Sequence, residues 1–593
     1  MTKPTTGAET INWDLSDLYS STHDPALQAD KTRILKDADA FAAQYRGKIS
    51  GLSAGAFKTM MDEYERIQDT AGKIGSFAYL QWSTDTGNAE FGKLVQESNE
   101  LGSEISQKLV FLDVEWLQVS DEQALELIES EELRFYKHYL EASRRYKEHV
   151  LEEKQEQVLS AKSVTGRSAW VRYFDETLGA AKFELDGQQL TEQEALSKLH
   201  ESDRDLRRRA HASLSETFGE LSRTLTFVFN TLLADKSTND KLRKYPSWIS
   251  SRNLANETDE ATVQALIDAV TSSYPLVQRY YKLKSRLLGL EEMKDYDRYA
   301  PIAQNEATIT WEQAKAMVLE SYTDFHPEMG AITQEFFDKN WIDAAIKPGK
   351  RGGAYSASTV PSAHPYVFMN FDGKIRDVQT LAHELGHGVH QYLSRQQGVL
   401  QSSTPLTTAE TASVFGEMLV FQNLLKEITD PKEKLALIIG KIDDTIATVF
   451  RQVSMNRFEH AMHTARREEG ELTTERFSEL WMEQQRALYG DSVSLTDEYG
   501  LWWSYIPHFL HTPGYVYAYA FGELLVLALY EEYTRQPDGF ADRYLELLGA
   551  GGSEWPHELV AKMGLDITDP DFWKKGLASF ERMIEEAETL ADH

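Results

Sequence analysis

Asp377-Val378-Gln379-Thr380-Leu381-Ala382-His383-Glu384-Leu385-Gly386-His387-Gly388-Val389-His390 occupies the middle of the 593-residue chain. Val378, Leu381, Leu385, Val389 and Leu393 recur at three- and four-residue steps, so the spacing predicts a helix with an apolar stripe and Asp377 as its N-cap. His383 and His387 then lie one turn apart on one face. Two imidazoles at that separation can each direct a ring nitrogen at one ion about 2.0–2.1 Å away, the geometry of zinc ligation. Glu384 is rotated by one residue and can reach a water at the metal without taking a ligand position. The plain alternative is a helix that happens to carry two partly exposed histidines.

A catalytic zinc held by two histidines needs a third protein ligand and one open position. The chain has no cysteine, which removes thiolate sites, thiol nucleophiles and disulfides together, so the third ligand must be a histidine or a carboxylate. After a 22-residue connection, residues 388–409, a second helical stretch runs from Glu410 to Glu417. Either acid can return to the first helix. Thr407-Thr408-Ala409-Glu410 also reads as a capping box that needs no metal. Spacing alone leaves Glu410 and Glu417 nearly tied.

Outward from this centre the chain reads as mainly α. Lys31 to Tyr45, Asn88 to Leu117, Asp121 to Leu140 and Ala261 to Leu288 mix apolar and charged residues at helical spacing, and Thr191-Glu192-Gln193-Glu194 and Thr310-Trp311-Glu312-Gln313 are capping boxes. Strand signals are few. Phe183 to Leu190 carries an Asp186-Gly187 turn suited to a hairpin, and Tyr366 to Phe371 reads as a short apolar strand closed by Asp372-Gly373. The glycine-rich stretches Pro348 to Ser356 and Gly549 to Ser553 lack the spacing of a phosphate loop and are expected to be turns. The length exceeds one ordinary core, and a boundary near residue 200 divides the chain into expected domains 1–200 and 201–593.

Composition narrows the function classes. With 41% hydrophobic and 26% charged residues the chain is expected to fold throughout. A formal charge of −32 disfavours a nucleic-acid partner. The one compact basic run, Arg207-Arg208-Arg209, follows a helix start near Asp203 and reads as a solvated or acid-paired face. Met1 to Thr10 is polar, without the basic-then-apolar order of a signal peptide, and the apolar run Leu524 to Tyr530 is too short to span a bilayer. No membrane association and a cytoplasmic address are therefore expected. Nothing in the sequence speaks to oligomeric state.

Thr380 to His390 resembles the metal helix of the oligoendopeptidase F branch of the thimet oligopeptidase family of zinc metallopeptidases, and Glu410-Thr411-Ala412-Ser413 resembles its Glu-x-x-Ser segment. Trp13-Asp14-Leu15-Ser16-Asp17-Leu18-Tyr19 is similar to the family's opening signature, and Pro348 to Ser356 to its Lys-Arg-x-Gly-Ala-Tyr segment, so the likeness covers nearly the whole chain. The resemblance implies a two-lobed helical body with a deep central channel and a small β-sheet beside the active site. It also implies one zinc ion, oligopeptide substrates, and Glu410 as third ligand beside His383 and His387. Glu417 then falls to orienting a ligating histidine.

Ile506-Pro507-His508-Phe509 and Tyr515-Val516-Tyr517-Ala518-Tyr519 are more loosely similar to the family's substrate-contacting His and Tyr region. Read without the family, this aromatic stretch is equally a buried apolar segment. Hydroxyl or imidazole donors suit the negative charge that builds on a scissile carbonyl oxygen, and Tyr519, His508 and Tyr515 are the candidates. A one-residue shift at His511-Thr512-Pro513-Gly514 leaves His511 open in place of His508, and Tyr517 in place of Tyr515.

The expected activity is hydrolysis of internal bonds in short, unstructured oligopeptides by a zinc-activated water, with Glu384 as general base. The Tyr366 to Phe371 strand is expected to offer backbone hydrogen bonds to an extended peptide. A carboxypeptidase or dipeptidyl carboxypeptidase on the same scaffold needs a clamp for the substrate's terminal carboxylate, and the sequence identifies none. A catalytically silent peptide-binding protein has no use for Glu384.

Overall fold

Helices dominate because most of the predicted periodic segments find a cap and an apolar face to bury. The computed structural model describes residues 5–302 and 308–592, so the first four residues of the polar Met1 to Thr10 stretch lie outside it. Thr191 and Thr310 cap the helices Glu192–Ser197 and Trp311–Phe325 as expected, each through a reciprocal bond with the residue three positions on. The long periodic segments are cut into shorter helices. Ala261 to Leu288 divides into Glu260–Ser272 and Tyr274–Leu287, because Pro275 can occupy only the first turn of the second helix. Among the described residues no helix is long and apolar enough to cross a membrane.

The chain forms two compact units, each assembled from three stretches. Unit 1 comprises Met1–Lys147, Glu306–Lys426 and Glu532–Asp566; unit 2 comprises Glu148–Asn305, Glu427–Glu531 and Ile567–His593. Residue 200 falls inside the first stretch of unit 2.

Unit 2 is organised around the 39-residue helix Arg204–Leu242, capped by Asp203. Phe218 and Phe229 of that helix join Phe458, Trp481 and Trp503 in one buried core. The basic run is acid-paired throughout: buried Arg207 donates to Asp297 at 2.8 Å, Arg208 to Asp205 at 2.7 Å and Arg209 to Asp186 at 3.0 Å. The predicted hairpin pairs strand β1 (Phe183–Leu185) with β2 (Gln188–Leu190). Asp186 and Gly187 both take positive φ at its turn, which suits this residue pair.

Unit 1 holds a three-stranded sheet of β3 (Ile342–Asp343), β4 (Tyr355–Ala357) and β5 (Tyr366–Phe368), in the order β3-β5-β4. Strand β5 pairs parallel with β3 and antiparallel with β4. It is fully buried with both edges occupied, so it cannot accept a further strand as the sequence reading expected. Trp13 packs on Tyr366 and Phe368, Tyr366 donates its hydroxyl to the Asp14 carbonyl at 2.9 Å, and His364 meets Asp17 at 2.9 Å. The opening segment thus clasps the sheet. Lys350 buries its ammonium against Asp343 at 2.6 Å and the carbonyls of Ala345 and Met369, tying the glycine-rich turn to the strands. The helix Ile375–Ser394 lies against β4 and β5, with Ser356 donating to Gln391 at 2.8 Å.

Candidate active site

The metal-motif helix spans Ile375–Ser394, and its cap differs from the expectation. Lys374 is the N-cap residue, and Asp377 sits one turn in, accepting from the backbone N–H groups of Asp372 and Lys374 at 2.9 and 3.0 Å. An acid in the first turn satisfies orphan donors as well as a cap does, which is why sequence alone misplaced the boundary. Thr407 to Glu410 is likewise no capping box: Thr408 bonds back to the Pro405 carbonyl, and Glu410 terminates the short helix Leu406–Ala409.

The next helix, Thr411–Glu427, crosses the first at very short range, because both present glycine at the crossing. A Cβ built on Gly386 falls 2.4 Å from the Ala412 carbonyl oxygen, and one on Gly416 falls 2.0 Å from the Tyr322 hydroxyl. Tyr322 in turn donates to the Ala382 carbonyl at 2.5 Å, inside the metal helix. Neither Tyr322 nor the glycine pair was singled out from sequence. Their signal was two small residues, each one position from a candidate ligand: Gly386 before His387 and Gly416 before Glu417.

This crossing brings His383, His387 and Glu410 together, with one ligand atom from each lying within 4.8 Å of the others. Glu410 Oε2 is 3.4 Å from His383 Nε2 and 3.2 Å from His387 Nε2. Atoms about 2.0–2.2 Å from a tetrahedral metal lie roughly 3.3–3.6 Å apart, so the two Glu410 separations suit a shared ion. Ser413 donates to the same Glu410 oxygen at 2.7 Å. Glu417 accepts from His383 Nδ1 at 2.5 Å, which leaves the Nε2 lone pair facing Glu410 and His387. The two acids that spacing could not separate therefore occupy different sides of one imidazole.

The electrostatics agree with a cation site. Burial alone would lower the pKa of His383, but Glu417, Glu410 and Glu384 raise it to about 9. Burial works against Glu410 too, yet His387, His383 and Ser413 hold its carboxyl down at about 2. Glu384 is only 6% exposed, and burial pushes its carboxyl up despite the two histidines. A field that attracts a proton this strongly also favours a metal ion.

In unit 2, His508, Tyr515 and Tyr519 form one aromatic group. His508 Nε2 is 3.3 Å from the Tyr519 hydroxyl, the His508 and Tyr515 rings lie parallel with centroids 5.9 Å apart, and Tyr515 meets Tyr519 edge-on at 4.7 Å. The alternative residues point elsewhere. His511 pairs with Asp175 at 2.7 Å on the surface, and Tyr517 is buried between Asn253 and Asn256, bonded to both at 2.9 and 2.8 Å. The intervening loop is pinned by residues remote in sequence. Arg167 donates to the carbonyls of Leu510 and His511, and buried Glu459, its carboxyl pushed up to about 8 by burial, accepts from the Gly514 N–H at 2.6 Å.

A family model described as Peptidase family M3 matches residues 197–579, and one described as Oligopeptidase F matches residues 115–183. Oligopeptidase PepF of Bacillus subtilis is 29% identical over 98% of this chain and 87% of its own length. Group B oligopeptidase PepB of Streptococcus agalactiae is 27% identical over 98% and 97%. The crystal structure of oligoendopeptidase-F from Enterococcus faecium superposes with a TM-score of 0.73 at 26% identity, covering 96% of this chain and 99% of that one. The chain therefore belongs to peptidase family M3 and is a metallo-oligopeptidase, in keeping with its helical fold and its partly exposed His-His-Glu cluster.

Proposed function

We propose that the protein is a zinc endopeptidase that cuts internal bonds of short, unstructured oligopeptides. One observation carries the reading: three ligand atoms converge while Glu417 fixes His383 in the tautomer that offers Nε2 to a metal. His383, His387 and Glu410 would hold the ion. Zinc bound there supplies Lewis acidity, polarising a carbonyl and acidifying water.

The remaining chemistry belongs to side chains. Glu384, buried and with a raised pKa, takes the proton of the attacking water and returns it to the leaving amine, a role that favours a base nearer neutrality than an ordinary carboxylate. Tyr519, His508 and Tyr515 serve as donors to the developing oxyanion. Ser413 and Glu417 keep the ligands aimed. A peptide strand is offered the partly exposed edge strand β4, Tyr355–Ala357, in place of the buried β5.

Glu384→Gln tests the division of labour. Metal content should stay at the wild-type level while kcat on an internally quenched peptide falls on the order of 10²–10⁴-fold. Near-normal cleavage by a metal-loaded Glu384→Gln protein would remove Glu384 from the mechanism.

A further inference from the structure

Unit 2 contains two arginines set among tyrosines instead of acids. Arg298 is buried and fully committed: it donates to the Asp295 carbonyl at 2.9 Å, to the Tyr499 hydroxyl at 3.0 Å and to the Tyr489 hydroxyl. Arg451 is different. It follows directly on the π-helical turn Ile446–Phe450, an irregularity frequent at functional sites, and opens the helix Arg451–Glu468. It donates to the Tyr299 hydroxyl at 2.8 Å and to the Tyr505 hydroxyl at 3.2 Å, and its buried Nε has no partner.

Among the described residues no carboxylate pairs with Arg451: Asp443 and Asp297 are engaged elsewhere, and Glu192, near enough to join burial in raising the pKa of the Tyr505 hydroxyl, forms no ion pair with the guanidinium. Asp443 takes the Lys284 ammonium at 2.6 Å and the Tyr280 hydroxyl at 2.7 Å, and Asp297 takes Arg204 and Arg207. A guanidinium withdrawn from water without a counter-ion is costly, so the arrangement favours an anion.

The donors are already in place for one. A tyrosine hydroxyl that accepts from arginine keeps its own proton to give, and no described acceptor takes that of Tyr299 or Tyr505. Burial would raise the pKa of the Tyr299 hydroxyl, but Arg451 and Arg298 draw it below its ordinary value, which makes it a stronger donor. Arg451, Tyr299 and Tyr505 each retain some accessible surface. Tyr505 is held by stacking on Phe218, with ring planes 7° apart, and by the edge of Trp502. It lies three residues before His508, whose ring is held below its ordinary pKa by burial, by His511 and by the charge of Arg451.

We propose that Arg451, Tyr299 and Tyr505 form a carboxylate-binding site that takes the C-terminal carboxylate of an oligopeptide substrate. The site adds a specificity element to the peptidase reading above and rests on it. The sequence does not reveal the site, because its three residues come from segments 152 and 54 positions apart, taking Tyr299 to Arg451 and Tyr505 to Arg451. A guanidinium flanked by two hydroxyl donors suits a planar carboxylate, and the same chemistry is available from an aspartate or glutamate side chain.

The test uses the full-length, metal-loaded protein and one internally quenched peptide in three forms: free acid, C-terminal amide, and amide with a glutamate next to the C-terminus. The free acid should have a kcat/KM about tenfold or more above the amide, chiefly through KM. Arg451→Gln and Tyr505→Phe should each lower the free-acid value and bring the ratio towards one, with amide cleavage reporting that the variant is folded. Recovery of cleavage in the glutamate-bearing amide, lost again in Arg451→Gln, would identify a side-chain carboxylate as the source.

Equal cleavage of all three forms by the wild type, or variants that slow acid and amide alike, would overturn the site. Fluorescence anisotropy of labelled acid and amide on Glu384→Gln protein reads the same preference without turnover. A failure of peptide hydrolysis is thereby told apart from a failure of carboxylate recognition.

Discussion

The metal cluster of unit 1 and the aromatic group of unit 2 are built by opposite means. His383, Glu384 and His387 are placed by helical periodicity, and Glu410 and Glu417 by one glycine-mediated crossing of two helices close together in the chain. His508, Tyr515 and Tyr519 are placed by a loop whose shape depends on Arg167, Glu459 and Arg252, residues far away in the chain. The first region is preorganised by local geometry. The second is preorganised by long-range hydrogen bonds to its backbone.

Three substitutions sharpen that contrast, taken from the largest expected effect downwards. Tyr519→Phe should lower kcat about 10²–10³-fold, the usual loss for an oxyanion donor, with little change in metal content. Tyr517→Phe is its control: Tyr517 is bonded to Asn253 and Asn256, so the variant should lose stability in denaturant unfolding by about 1–3 kcal/mol and keep its kcat. The reverse pattern would shift the register of the segment by two residues. In unit 1, Glu417→Gln should weaken metal affinity about 10–100-fold, measured by competition with a chelator, because Gln can still meet His383 but no longer as an anion. Unchanged affinity would reduce Glu417 to a packing residue.

The smallest effect is expected at His511. Its side chain is 40% exposed and pairs with Asp175 at the surface, so His511→Ala should change stability by no more than about 0.5 kcal/mol and leave kcat near the wild-type value. A large fall in kcat would return His511 to the position assigned to His508.

The two regions also differ in what the sequence disclosed. The metal motif was legible because a helix converts a spacing of four into proximity, and the hairpin at Asp186-Gly187 because few residues tolerate its φ angles. The tie between Glu410 and Glu417 was not resolvable from spacing, since Glu410 ends the short helix Leu406–Ala409 and Glu417 lies inside the crossing helix, and only the packed crossing decides which imidazole nitrogen each meets. The helix start was misread at Asp377 because an acid at the cap and an acid one turn later leave similar patterns. The placement of β5 in the middle of its sheet was hidden because β3 and β4 are two and three residues long, too short to carry alternation. The Arg451 cluster was invisible for a related reason: a lone arginine and scattered tyrosines acquire meaning only after packing removes their acidic partners.

Metal stoichiometry tests the central claim most directly. After removal of metal by a chelator, the wild-type protein should rebind one zinc ion per chain and regain peptide cleavage in proportion to the metal taken up, whereas Glu410→Ala should bind zinc far more weakly and remain inactive at equal zinc. Full cleavage by metal-free protein, or undiminished zinc binding by Glu410→Ala, would contradict the assignment of His383, His387 and Glu410 as the ligands.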